Sequence, residues 1–456
     1  MKKILTLLTL FYSFIICCQA QFPVGSVMVT PRTLTHSLEV PWELVWGPDN
    51  FIWMTERYGR ISRVNPANGQ VSALVTIPDV LQNGESGLLG MALHPDFSQH
   101  PHVFVAYTYS KNGTPTEKLV RYTYNGTALA SPQVLLDNIV AAAIHDGARL
   151  LILPDQTLLF TTGDAGNTSL AQNLNSLNGK VLRLNLDGSV PANNPVAGSY
   201  VYSFGHRNPQ GLTYGNSKIY SSEHGPGSDD EFNIIEPNRN YGWPNLEGFC
   251  NTTTEQTFCA TNNVREPLAA WTPTLAVAGI AFYNHAAIPA WQNSVLMTTL
   301  KDRKLVQLQL NSTGTAVTSQ AIFLDKAYGR LRSICVSPDG KVYIGTSNKD
   351  GRGSPAATDD RILVLENLAY QLTGIKKDAP KTASFTVFRD SENKKLYLNF
   401  APELRSNKVQ LLSLSGKKIQ EHNLLADLKL EISTERMAAG LYLIRVGKAL
   451  QKVVIE

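Results

Sequence analysis

Short apolar runs separated by turn residues recur along the 456-residue chain as one repeated phrase. An apolar strand meets a Pro-Asp or Gly turn, a second strand follows, and a third begins near Gly with Arg or Lys. Leu44 to Met54, Leu150 to Phe160 and Ile334 to Ile344 carry it in full, with Pro48-Asp49, Pro154-Asp155 and Pro338-Asp339 at the turn. The third strand recurs as Arg60 to Val64, Lys180 to Leu184 and Arg361 to Leu365, and weaker copies begin at Leu89, Gly211 and Gly279. Repeats of roughly 40 to 60 residues made of several short strands predict a β-propeller, because blades bury their faces only against one another. The copies predict six blades. No long segment has apolar residues at helical spacing, which disfavours a helical solenoid. A β-sandwich array competes, but it does not require a regular Pro-Asp turn in successive units.

The pattern changes after Asn367. Lys376 to Lys381 reads as a linker, and the rest alternates in short strands such as Lys408 to Leu414, enough for a small β-sandwich. The expected fold class is therefore all-β: residues 21–370 form a six-bladed β-propeller, 371–381 a linker and 382–456 a C-terminal β-sandwich. Residues 1–20 read as a signal peptide, from Lys2-Lys3 through an apolar stretch to Cys18-Gln19-Ala20. The apolar run is too short to span a bilayer, so no membrane span is expected in the mature chain. A lipid anchor at Cys17 or Cys18 competes, yet Phe-Ile-Ile before them lacks the small residues such a site wants.

Charge narrows the partners. From Lys376 to Glu456 there are 15 Lys and Arg against 9 Asp and Glu; without that stretch and the two signal lysines, 24 basic residues face 28 acidic ones. A mildly acidic body indicates no nucleic-acid surface. Cys250 and Cys259 bound a polar loop, and in an exported protein their spacing predicts a disulfide. Cys335, in an apolar run, is expected to be a buried strand residue.

From Ser203 to Pro244 a guanidinium, amides, a Gly-Pro bend and an acidic run crowd one stretch: Ser-Phe-Gly-His-Arg-Asn-Pro-Gln-Gly-Leu, then Ser-Ser-Glu-His-Gly-Pro-Gly-Ser-Asp-Asp-Glu, then Asn-Tyr-Gly-Trp-Pro. Such a set suits an anionic cofactor beside a hard cation. With Ala-Ile-His-Asp-Gly-Ala-Arg-Leu around His145, Thr-Leu-Lys-Asp-Arg around Lys301 and Gly-Arg-Leu-Arg-Ser around Arg330, the order of motifs resembles the soluble quinoprotein glucose/sorbosone dehydrogenases over roughly residues 35 to 367. The His224-Gly225-Pro226 version resembles the aldose sugar dehydrogenase branch more than the soluble glucose dehydrogenase. The ending Ala439 to Val446 and Lys452 to Ile455 resembles the sorting domains of Bacteroidetes type IX secretion cargo, which implies the type IX machinery as partner and a secreted or cell-surface location. A carbohydrate-binding or spacer module competes at that end.

The resemblance implies oxidation of an aldose at C1, with pyrroloquinoline quinone (PQQ) and calcium as cofactors and an external electron acceptor. His145 matches the general base, whose neutral imidazole takes the anomeric hydroxyl proton while hydride leaves the same carbon. Arg207 and Asn208 match the quinone oxygens' neighbours, and Arg207 can stabilise the charge that arrives there. Lys301, Arg330 and Arg332 match carboxylate-binding positions, and His224 stands beside the cofactor. Gly225 and Pro226 match main-chain ligands of the cofactor calcium, while Glu231 and Tyr241 match a second calcium site; an acidic run is also an ordinary solvated turn. Glu85, Asp146 and Trp271 are expected near the sugar, with a core tryptophan equally open for Trp271.

Departures bear on specificity. Glu85, His224 and Ile144 stand where some members have Gln, Gln and Asp. A non-catalytic carbohydrate- or protein-binding propeller and a calcium-dependent lactonase are the competing functions.

Overall fold

A computed structural model describes residues 21–370 and, further on, 385–390, 394–400, 408–413, 417–423, 428–435, 437–438, 440–447 and 449–455. The signal segment and the linker lie outside the described residues.

Six antiparallel sheets build the first unit, Met1–Ala369. Their first strands are Pro41–Trp46, Leu88–Leu93, Gly147–Ile152, Pro209–Gly215, Val277–Tyr283 and Leu331–Val336. Each touches the next, and the sixth returns to the first, so the sheets close a ring of six blades around a channel. Five blades are continuous in sequence. The sixth is completed by Val27–Thr35, which pairs with Ile362–Glu366, so the N-terminal strand joins the ends of the ring. All six first strands coincide with repeats legible in the sequence.

The Pro-Asp turn recurs because its carboxylate ties three strands together. In the first blade Asp49 accepts from Trp53 Nε1 at 3.0 Å and pairs with Arg63 of the third strand at 2.9 Å. Asp155 repeats this with Arg183 at 2.7 Å in the third blade. In the sixth blade Val364 replaces the third-strand arginine, and Asp339 pairs with Lys341 instead. The phrase fades in the fourth blade because its hairpin turns through Asn216 and Ser217, both at positive φ, which needs no Pro-Asp.

Apolar faces meet between blades. Trp53, wholly buried, lies edge-on to Phe97 and Tyr124 of the second blade at 5.5 and 5.3 Å. Burying such a ring stabilises by roughly 2–3 kcal/mol, so the inter-blade seams hold the ring shut. Cys335 is buried as expected, in the cluster with Leu44, Met54 and Tyr343 between the sixth and first blades.

The Cys250–Cys259 segment is a helix over Thr253–Thr261 where a polar loop was expected. Thr252 and Glu255 form a capping box that satisfies its first amides, and a disulfide joins Cys250 to Cys259.

The second unit pairs a sheet of Phe385–Asp390, Lys395–Phe400 and Lys429–Ser433 with one of Lys418–Asn423, Lys408–Ser413, Gly440–Val446 and Ala449–Ile455. Leu396, Leu398 and Ile432 from one sheet and Val409, Leu411 and Ile444 from the other share one core, which makes it a small sandwich.

Candidate active site

Loops that enter first strands and leave second strands converge at one end of the channel, where they line a cavity of about 570 Å³. His145, Asp146, Arg207, Asn208, His224, Gly225, Pro226, Lys301, Arg330, Arg332 and Glu85 all line it, although they come from five blades. Ring closure brings them together.

His145 holds a left-handed backbone, φ 59°, at the entry to the third blade. Gly163 makes that possible: a Cβ there would stand 1.8 Å from the His145 carbonyl oxygen. The imidazole Nδ1 meets Asp164 Oδ1 at 2.8 Å, and Asp164 Oδ2 accepts from Trp243 Nε1 at 2.8 Å. Asp164 is wholly buried. Burial raises its carboxyl pKa, but the hydrogen bond and charge of His145 together with the hydrogen bonds from Gly166 N and Trp243 hold it below the ordinary value. An ionised Asp164 accepts, so the proton sits on Nδ1 and Nε2 keeps its lone pair for a substrate proton.

Cations dominate the walls: six Arg and Lys line the cavity against four Asp and Glu. Arg207 stacks on Trp243 at 5.3 Å, and its Nε is buried without a partner among the described residues. Burial pushes its guanidinium pKa down. The Glu223 carboxylate accepts from the amides of Arg207 and Asn208 and meets His206 Nδ1 at 2.8 Å, which fixes the Arg207 turn. Asp350 pairs with Arg330 at 2.8 Å and Arg332 at 3.4 Å. Arg57 adds a third guanidinium, 6% exposed, whose Nε also lacks a partner among the described residues. Arg57 donates to the Asp350 main-chain carbonyl, and with six Arg and Lys against four Asp and Glu the walls keep an excess of positive charge, which fits a flat polycarboxylate. Lys301 Nζ donates to Thr274 at 3.0 Å.

His224 donates from Nε2 to the Val277 carbonyl, and burial lowers its pKa, so it stays neutral. Asp230 accepts from Gly225 N at 2.9 Å and from Leu275 N at 2.7 Å, stapling the Gly-Pro loop to the fifth blade. A Cβ at Gly225 would meet Ser228 O at 1.9 Å. Neither the Gly225 nor the Pro226 carbonyl accepts a hydrogen bond among the described residues. Two unclaimed carbonyls on a fixed bend fit a calcium ion.

Other expected residues sit differently. Trp271 lies on the outermost strand of the fourth blade, its Nε1 donating to Gln320 at 3.1 Å, and it does not line the cavity; its apolar flanks pack in the blade core. Asp146 spends both oxygens on Ser86 Oγ, 2.6 Å, and Ala142 N, 3.0 Å, so it shapes the His145 loop. Burial pushes its pKa up to about 7. Glu231 and Tyr241 line a small hollow that adjoins the cavity and shares Arg207, His224, Gly225 and Pro226 with it. Glu231 accepts from Asn233 and Gly248, both at 2.9 Å, and the Tyr241 hydroxyl bonds Ile234 O and Glu236 N at 2.5 and 2.9 Å. No group of three or more His, Cys, Asp or Glu suited to a metal occurs among the described residues.

Asp164, Trp243, Arg57, Asp350 and Arg352 were missed. Trp243 lay in the quoted Asn-Tyr-Gly-Trp-Pro run, and Gly163-Asp164-Ala165-Gly166, just past a strand, offered a signal too, since Asp in a Gly-rich turn often presents its carboxylate.

Over residues 38–363 the chain matches the family model described as Glucose / Sorbosone dehydrogenase, and over 392–456 the Secretion system C-terminal sorting domain. Quinoprotein glucose dehydrogenase B of Acinetobacter calcoaceticus is 33% identical over 428 residues, covering 74% of this chain and 88% of that protein. Aldose sugar dehydrogenase YliI of Escherichia coli is 30% identical over 362 residues, covering 74% and 95%. Among solved structures, the PQQ-bound aldose sugar dehydrogenase of Streptomyces coelicolor superposes with a TM-score of 0.66 at 35% identity, covering 75% of this chain and 99% of that one.

Proposed function

The chain belongs to the glucose/sorbosone dehydrogenase family, and from that premise we propose that it is an exported quinoprotein that oxidises an aldose at C1 to the lactone. The observation that carries the reading is the His145–Asp164 pair opening onto a cavity where six Arg and Lys face four Asp and Glu, and where the buried Nε atoms of Arg57 and Arg207 have no partner among the described residues. A calcium-bound PQQ supplies the hydride acceptor when it is held there.

The chain's own residues do the rest. Asp164 fixes the imidazole, and Nε2 of His145 takes the proton of the anomeric hydroxyl. Its imidazolium is stabilised by the carboxylate behind it. Arg207, with its buried Nε unspent, lowers the energy of negative charge that develops on its cavity side. Arg330, Arg332, Arg57 and Lys301 would hold carboxylates, and the Gly225 and Pro226 carbonyls would hold the cation. A lactonase would want a carboxylate-rich funnel, and cations outnumber acids here six to four.

The match over 392–456 supports delivery by the type IX machinery to the surface or the medium. Electrons then pass to an external acceptor. Purified protein given PQQ and calcium should reduce a dye with some member of an aldose panel. No reduction with any sugar, together with no quinone binding, would refute the proposal.

A further inference from the structure

Glu85 enters the cavity from the segment before the second blade, and Arg352 from the loop that leaves the second strand of the sixth. Their side chains meet, Oε1 to Nη2, at 3.1 Å. The other Glu85 oxygen lies 3.5 Å from the His145 amide nitrogen. A carboxylate therefore stands beside the main chain of the His145 loop, and Arg352 is its ionic partner.

The loop that carries Arg352 is not loose. Asp350 Oδ1 accepts from Arg352 N at 2.9 Å, while Asp350 Oδ2 accepts from Arg330 Nε and Ser347 Oγ at 2.8 and 2.9 Å. One carboxylate thus ties the Arg352 backbone to the buried cation cluster. The side chains of Arg352 and Glu85 are 65% and 33% exposed, so the pair sits at the mouth where an entering molecule meets it.

Resting on the dehydrogenase reading, we propose that Arg352 is a specificity-determining residue: its ion pair with Glu85 makes the mouth a neutral donor–acceptor pair that favours uncharged aldoses over acidic ones. Sugar hydroxyls both donate and accept, so a neutral ring can use the spare N–H groups of Arg352 and the lone pairs of Glu85 together. An acidic sugar draws Arg352 to its own carboxylate. That exchange leaves Glu85 unpaired beside His145, and like charges then oppose each other in the mouth.

The test is the ratio of kcat/KM for D-glucuronate to that for D-glucose, which differ at C6, in wild type, Glu85→Gln, Arg352→Gln and Arg352→Lys. Glu85→Gln frees Arg352 and should raise the ratio ~5-fold, Arg352→Gln bares Glu85 and should lower it ~5-fold, and Arg352→Lys should stay near wild type. Both shifts should shrink at high ionic strength. The relative affinity of the two sugars for protein loaded with PQQ and calcium and carrying His145→Ala as well, read by calorimetry, should move the same way and does not depend on turnover. A wild type that oxidises aldoses, with ratios unmoved or moving together in both Gln variants, overturns this inference alone; a wild type that oxidises none overturns the dehydrogenase reading.

Discussion

His145 and Asp164, 19 positions apart, meet through a 2.8 Å contact between Nδ1 and Oδ1. Asp164→Asn keeps the shape and removes the charge that fixes the tautomer, so kcat should fall roughly 100-fold or more with KM little changed. Steady-state kinetics check this. An unchanged kcat would relieve Asp164 of the role.

Glu43 and Arg149 form an ion pair in the channel behind Trp42, almost wholly buried, with Arg149 over the Trp42 ring at 4.2 Å. Removing one partner strands the other, so Arg149→Met should cost about 3–5 kcal/mol in urea unfolding, whereas changing both to apolar residues should cost far less.

Burial, then the neighbouring Glu223 charge, pushes the Glu231 pKa from 4.5 up to about 8. Between those values the folded chain binds a proton that the unfolded chain has lost, so this residue's contribution falls as pH rises and is lowest above about 8. In calcium-free buffer, Glu231→Gln should flatten the decline of stability from pH 5 to 9. Parallel wild-type and variant curves would contradict the shift.

Gly225→Ala puts a Cβ 1.9 Å from Ser228 O, so the bend must open. Calcium titration of quinone binding should show affinity reduced about tenfold or more, with the propeller still folded by circular dichroism.

The blades were legible because one turn chemistry repeats: Asp49 and Asp155 do the same work in different blades, so periodicity exposes them. Where Asn216-Ser217 replaces Pro-Asp the signal thins, though the strand remains. Most cavity residues were legible through motif order. Arg57, Asp350 and Arg352 were not, because nothing in their spacing marks them; Arg57 and Asp350 lie 293 positions apart and meet only when the ring closes. Trp271 took the core alternative that the sequence left open, since a tryptophan beside a turn looks the same in a blade core as in a cavity wall.

The central claim is that His145 takes the proton as hydride leaves the sugar. Wild-type and His145→Ala protein, each loaded with PQQ and calcium, can be mixed with an excess of an aldose the wild type oxidises while reduction of the bound quinone is followed by absorbance in a stopped flow. Quinone affinity should be the same in both, and reduction should be roughly 100-fold or more slower in the variant. Equal reduction rates at equal quinone loading would contradict the account.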